Sequence, residues 1–393
     1  MFIISLMDGR TPFLIKLAKL TYARLLCRGG QVKLENPLNI DLKTTPYLYL
    51  SNHVGIMDPV MISAVMPRHI RWVAGAYLFK TRFLKLVLGA WCTAIPKQQG
   101  RGDLSMLRTV KKALEDGDNV GLFPEGTRTW DGEMVELDFK ALAKMVRFLK
   151  APVVIINLEG GFAKQPRWAD KPRKGKVTVR VVHLISKEEV KSASVEELKD
   201  RLQKHLAFSN DKWKRRENYT YASPGRAEGL QRLLYLCPRC NAIDSMVTSG
   251  DTIKCTACGA EATLDQMDNI QSSTTEFKTL PQWHRWEAGQ IGKAEGFPEE
   301  KGVLLQKGNA DNNGELETIS EDITVCLKDG AIVVRDNTAA TGNEIILPLS
   351  SISSLILNAK QTMELFCGEA LYRIRLLPNS SSLKYHEYYQ ERK

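Results

Sequence analysis

The sequence has no apolar run long enough to cross a bilayer. Its longest uncharged apolar stretch lies between Lys85 and Lys97, well short of the roughly 20 residues that a membrane-spanning helix requires. A secretory signal is missing too: Met1 to Met7 is apolar, but no basic residue precedes it and no small-residue cleavage site follows. There are no internal repeats and no long low-complexity tract. The expectation is a chain that is neither exported nor membrane-spanning.

What is present reads as an ordinary globular protein. Its 393 residues exceed the usual single-domain size, so two or three domains are expected. A hydrophobic fraction of 43% with 25% charged residues supplies ample core and argues against disorder. The net charge of +10 and pI near 9.1 point to an anionic partner, for which nucleic acid and an acidic lipid surface both qualify. Four of the eight cysteines form two C-x-x-C pairs, which without an export signal argues for metal binding in a reducing compartment. Cys27, Cys92, Cys326 and Cys367 sit among apolar neighbours and read as packed thiols.

Thr11-Pro12 is a good helix start, and the basic residues up to Arg28 recur every three to five positions before Gly29-Gly30. Residues 1–30 therefore read as an amphipathic helix, either facing a membrane or covering a core. Residues 31–210 alternate short apolar strands with helical stretches, the pattern of an α/β sheet with helices on its faces. Strands are expected at Tyr47 to Leu50, Ala94-Ile95, Val120 to Phe123, Val153 to Leu158 and Val177 to Leu184. Helices are expected at Pro59 to Met66, Leu104 to Glu115, Leu137 to Lys150 and Ser192 to Leu206, the last with a capping box at Ser194 and Glu197. A basic connector (211–234), a cysteine module (235–265), a linker (266–299) and a β-rich region (300–393) closed by a helix complete the order.

Two motifs carry chemistry. Asn52-His53-Val54-Gly55-Ile56-Met57-Asp58 follows the first strand of the α/β region. A folded-back Asp58 can hold one ring nitrogen of His53 and leave the other to take a proton. Phe123-Pro124-Glu125-Gly126-Thr127-Arg128 follows the strand at Val120 to Leu122. It places a carboxylate, a flexible glycine, a hydroxyl and a guanidinium on one loop, with Arg128 suited to a bidentate grip on phosphate.

Together these blocks, in this order and 70 residues apart from His53 to Phe123, resemble the glycerolipid acyltransferase family over about residues 10 to 210. Gly89 to Lys97 looks like that family's second block, in which Lys97 would help hold an acceptor phosphate, with Arg101 following. Ala151 to Ile156 looks like its fourth, a buried strand shaping the cleft. The chain departs from the pattern at Gly55, where serine is common, at Ile155-Ile156, which replace a second proline, and at Phe139 to Leu142, which lack a glycine. The resemblance implies acyl transfer from acyl-CoA or acyl carrier protein to the hydroxyl of a lysophospholipid such as 1-acylglycerol-3-phosphate, without a covalent enzyme intermediate. His53 and Asp58 would be catalytic, and Lys97, Arg101, Glu125, Gly126, Thr127 and Arg128 would bind substrate. Glu125 has two open roles, contacting the acceptor's polar groups or orienting Arg128. The implied location is cytoplasmic, peripheral to the inner face of a membrane.

Cys237-Pro238-Arg239-Cys240 and Cys255-Thr256-Ala257-Cys258 make a closed four-thiolate site, as in zinc ribbons, with structural zinc as the default occupant and an iron site or unoccupied thiols as the other readings. The β-rich tail looks like a PH- or GRAM-type barrel, with a plain β-sandwich as the other reading. Trp283 and Trp286 are candidates for packing between domains or for an interface anchor. Two further readings stand beside the first. One is acylation of another phosphate-bearing or glycolipid acceptor. The other is a zinc-ribbon protein that binds nucleic acid or protein and carries an inactive acyltransferase domain. No aromatic-basic reader surface supports nucleic acid.

Overall fold

The computed structural model describes residues 31–79, 85–97, 104–223, 225–309, 316–338 and 343–393. The expected N-terminal helix, Cys27 and Arg101 lie outside the described residues. The chain forms two compact units. One comprises the described residues of Met1–Arg167 with Arg173–Tyr221; the other comprises Trp168–Pro172 with Ala222–Lys393.

The first unit is an α/β sheet. Its strands are β1 (Val32–Glu35), β2 (Leu48–Ser51), β3 (Ile70–Gly75), β4 (Ile95–Lys97), β5 (Asn119–Leu122), β6 (Val153–Glu159) and β7 (Val177–Ile185), in the order β1-β7-β6-β2-β5-β3-β4. β2 to β6 run parallel, while β7 is antiparallel to β6. The helices are α1 (Asp58–Val65), α2 (Leu104–Glu115), α3 (Phe139–Leu149), α4 (Gly161–Lys164), α5 (Lys187–Ser192), α6 (Val195–Leu206) and α7 (Asn210–Glu217). Side chains alternate between the two faces of a strand. Leu48, Leu50, Val120, Leu122, Val153 and Ile155 thus pack under α2, α3 and α6, while Tyr49, Val154, Ile156, Ile70 and Trp72 join Met61 and Ile62 of α1. A central parallel strand covered on both faces reads as a continuous apolar run, as β6 does. The capping box at Ser194 forms as expected, with a second at Ser186.

β1 and β3 were not anticipated. Each carries charged side chains, and the structure shows how they are accommodated: Arg71 of β3 pairs with Asp118 at 3.1 Å, and Glu35 of β1 pairs with Arg180 at 2.7 Å. Pro96 is tolerated in β4 because that strand lies at the sheet edge. The stretch expected as a basic connector instead contains α7, whose Trp213 packs with Ala163, Phe208 and Tyr221.

The second unit holds a four-stranded ribbon sheet of β8 (Met246–Ser249), β9 (Thr252–Cys255), β10 (Glu261–Leu264) and β11 (Ile270–Gln271). The expected linker at 266–299 is largely structured, since it contains β11 and helix α8 (Leu280–Ile291). Leu280, Trp283 and Ile291 of this helix are core, whereas Trp286 is half-buried. Trp283 is 2% exposed and donates its indole N–H to the Leu236 carbonyl at 3.2 Å. Then come β12 (Phe297–Asn309), β13 (Glu317–Ser320), β14 (Ile323–Lys328), β15 (Ala331–Asp336), β16 (Glu344–Pro348), β17 (Ile352–Leu357), β18 (Thr362–Cys367), β19 (Ala370–Leu376) and helix α9 (Leu383–Glu391). All eight strands belong to one antiparallel sheet, in which the long β12 pairs with both β14 and the last strand, β19.

Charges knit the ribbon to this sheet. Lys384 of α9 is fully buried, and its ammonium meets Asp244 of the ribbon and, at 2.6 Å, Glu300 of β12. Buried Glu287 of α8 accepts the Tyr235 and Leu236 amides at 3.1 and 3.2 Å, and its burial pushes that carboxyl well above the usual range.

Candidate active site

β2 and β5 are parallel neighbours, so the turns leaving them open on the same edge of the sheet, where α/β proteins bind ligands. Asn52 prolongs the pairing of β2 with β6: its side-chain oxygen accepts the Leu158 amide at 2.7 Å, as a strand backbone would. The next residue, His53, is thereby launched from a fixed point.

Asp58 is the first residue of α1 and is fully buried. Its Oδ2 accepts from His53 Nδ1 at 2.8 Å and from the Val54 and Gly55 amides at 2.7 and 2.8 Å. A carboxylate only accepts, so Nδ1 carries the shared proton, and in the neutral ring Nε2 is the nitrogen with the lone pair. Asp58 Oδ1 is buried without a hydrogen-bond partner, and a Cβ at Gly55 would stand 3.2 Å from it. The imidazole lies flat on Phe123, with ring centroids 4.2 Å apart and planes at 17°.

The loop after β5 grips the main chain of His53 from both sides. Glu125 Oε1 accepts the His53 amide at 2.7 Å, and the Thr129 amide donates to the His53 carbonyl at 3.0 Å. The second oxygen of Glu125 accepts the Val135 amide at 3.0 Å. Glu125 thus braces two backbone segments, a role different from the two expected from its place in the motif. Burial pushes its carboxyl up to about 7, against the lowering effect of the two amides and with a small further rise from Asp58. Gly126 is the exposed turn of this loop, with φ +68° and open space around it.

Arg167, 3% exposed, was not foreseen. Its guanidinium donates to Thr127 Oγ1 at 3.0 Å and to the Arg128 carbonyl at 2.7 Å, and it lies over the Trp130 ring at 4.3 Å. No local motif marks it, because it meets the loop only through folding. Thr127 and Arg128 are half-buried. Lys97 ends β4, half-buried, on the same sheet edge and two strand spacings, about 10 Å, from β5.

The four motif cysteines also converge, with all sulfurs within 4.8 Å of one another. Cys237 and Cys258 stand 3.6 Å apart, and Cys240 and Cys255 3.7 Å. A tetrahedral ion with metal–sulfur bonds of about 2.3 Å has sulfur–sulfur edges of about 3.8 Å, so the cluster can hold such an ion. The two knuckles are built alike. The Asn241 and Gly259 amides donate to the Cys237 and Cys255 carbonyls at 2.9 and 3.0 Å, and both residues have positive φ.

Glu125 makes stability depend on pH. Its folded-state value near 7 lies above the ordinary 4.5, so between these pH values the folded chain holds a proton that the unfolded chain has released. That contribution is fully present below pH 4.5 and is lost as pH rises through 7. Glu125→Gln removes the ionisation and is expected to flatten the decline in unfolding free energy across this window. Denaturant titrations at several pH values measure the slope; an unchanged slope contradicts the assignment.

Comparison with known proteins places the chain in a family. Residues 31–159 match the acyltransferase family model. The chain is 31% identical over 164 residues to a 1-acyl-sn-glycerol-3-phosphate acyltransferase of Helicobacter pylori, covering 40% of this chain and 67% of that one. It is 27% identical over 188 residues to the Bacillus subtilis enzyme of the same name, covering 45% and 89%. The crystal structure of the 1-acyl-sn-glycerophosphate acyltransferase from Thermotoga maritima aligns at 18% identity with a TM-score of 0.43, covering 52% of this chain and 80% of that one. With the histidine–aspartate pair and the Glu-Gly-Thr-Arg loop joined at one sheet edge, the chain is an acyltransferase and belongs to the glycerolipid acyltransferase family.

Proposed function

We propose that the protein transfers a fatty acyl group from an acyl thioester to the free hydroxyl of 1-acylglycerol-3-phosphate, giving phosphatidic acid. The observation that carries this reading is the His53–Asp58 bond, set beside a loop that bears Arg128 and is hydrogen-bonded to His53 itself. The names of the two curated relatives support the acceptor.

In this mechanism His53 Nε2 takes the proton of the acceptor hydroxyl as its oxygen attacks the thioester carbonyl carbon. The carbon–sulfur bond then breaks, and the departing thiolate recovers the proton from His53 as a free thiol. Asp58 holds Nδ1–H throughout and stabilises the imidazolium formed in between. Arg128 and Lys97 hold the acceptor phosphate, with Arg167 fixing the backbone from which Arg128 projects. Arg101, which lies outside the described residues, joins this set by its place in the sequence. The donor is acyl-CoA or acyl carrier protein.

General-base catalysis is worth about 10²–10⁴ in rate. His53→Ala is therefore expected to lower turnover by at least this factor with folding intact, measured as thiol release from either donor with 1-acylglycerol-3-phosphate. Retained turnover would remove the general-base role. Turnover with other lysophospholipids or glycolipids, but not with this acceptor, would reassign the substrate.

The lipid is met at a membrane surface. Among the described residues no helix is long and apolar enough to cross a membrane. Ile56, between His53 and Asp58, is 66% exposed, and Val60 on α1 is 37% exposed. Isolated apolar side chains beside the dyad suit shallow contact with lipid, and the net positive charge favours anionic headgroups. Full-length protein is expected to co-sediment with anionic vesicles and to release at high salt. A chain that stays in the supernatant at low salt refutes this.

Zinc is the ion that best fits four thiolates in a closed site, in a structural role. Elemental analysis is expected to find one zinc per chain in the purified protein and none in Cys240→Ser. Because Asp244 of the ribbon faces the buried Lys384, chelation should also lower the unfolding temperature of the second unit. Metal-free protein with chelator-independent unfolding would contradict the assignment.

A further inference from the structure

We propose that Trp72 is a positioning residue that fixes both members of the dyad: its ring sets the plane of His53 through Phe123, and its indole N–H anchors the helix that carries Asp58. The inference rests on the general-base reading of His53.

Trp72 lies in β3 and is 7% exposed. Its cross-strand partner on β5 is Gly121. A Cβ at position 121 would come within 2.5 Å of the indole ring, so the ring lies flat against the neighbouring backbone. Gly121 is not among the glycines with positive φ. Its use here is therefore the absence of a side chain, which makes room for the indole. Laid down in this way, the indole stacks on Phe123 with centroids 4.7 Å apart and planes at 10°. Phe123 in turn stacks on His53 at 4.2 Å and 17°. Three rings form a column whose outer member is the imidazole.

The same indole donates its N–H to Ser63 Oγ at 2.9 Å. Ser63 belongs to α1, the helix that begins at Asp58. One buried side chain therefore bears on the imidazole through a ring face and on the carboxylate through a helix.

The physical need is clear. The Asp58 hydrogen bond fixes one ring nitrogen of His53 but leaves the imidazole free to swing about that contact. Holding a ring face removes this freedom. The aromatic face also attracts the positive charge that the imidazole acquires when it takes the proton. Phe123 can do both only while its own ring is held, and Trp72 covers its other side. Displacement by about 1 Å at a reacting group costs on the order of 100-fold in rate.

Three variants separate the contributions. Trp72→Leu removes ring and N–H, and is expected to lower kcat about 10- to 100-fold while leaving KM for 1-acylglycerol-3-phosphate within twofold. Trp72→Phe keeps a ring face and is expected to recover most of that loss. Ser63→Ala removes only the hydrogen bond and is expected to lower kcat modestly at unchanged KM. A second readout does not depend on turnover. With six histidines in the chain, the His53 ring C–H signals can be assigned by comparison with His53→Gln, using full-length protein carrying labelled histidine. Stacking on Phe123 places them upfield through ring current, and Trp72→Leu should move them downfield.

The proposal is overturned if Trp72→Leu leaves kcat and the His53 signals unchanged, or if KM rises as kcat falls. Should Trp72→Leu fail to fold, Ser63→Ala and Trp72→Phe decide, and wild-type kcat in both overturns the proposal. If the signals move as expected but wild-type protein transfers no acyl group, the acyl-transfer reading falls and the placement of Trp72 stands.

Discussion

The site depends on how the main chain of His53 is held. Its amide is bound by Glu125, 72 residues away in sequence, and its carbonyl by the Thr129 amide, so two distant segments form one hydrogen-bonded unit. A side chain can be no better placed than the backbone that carries it. Here that backbone leaves the end of β2 and is bonded to the loop after the neighbouring parallel strand β5, while Asn52 ties it to β6 on the other side. His53 and the loop after β5 cannot shift independently.

Holding a carboxylate in this setting has a cost. Glu125 is removed from water and lies near Asp58, and the two amides it accepts only partly offset that penalty. The balance is local: the same carboxyl that carries the penalty immobilises His53 and, through Val135, the segment leading to α3. Arg167 plays the complementary part, a buried cation holding the far end of the loop through Thr127 and the Arg128 carbonyl.

Much of this was legible in the sequence. His53, Asp58, Glu125 and Arg128 stand out as polar and charged residues in turns that directly follow apolar strands, and the cysteine knuckles stand out by a spacing that suits a tetrahedral ion. The part that stayed hidden acts only through folding. Arg167 meets the loop from 39 residues away. Gly121 reads as an unremarked strand residue until Trp72 is laid over it. The strands β1 and β3 hide behind charged residues whose partners lie elsewhere, and α7 and α8 hide in stretches whose polar composition suggested connectors. Glu125 was noticed for its charge, whereas its service to two backbone amides could be seen only in three dimensions.

The five residues Trp168–Pro172 belong to the second unit although both flanking segments belong to the first. Within that unit Trp168 is fully buried, its carbonyl accepts from Arg232 at 2.7 Å, and Asp170 pairs with Arg232 at 2.8 Å and Lys360 at 3.6 Å. No single cut of the polypeptide separates the halves. A fragment ending at Tyr221 would carry away a tryptophan and an aspartate made for partners it had lost, and the remainder would keep two cations facing an empty seat. Removing the C-terminal half would therefore strand these five residues, which interrupt the first unit in sequence but pack in the second.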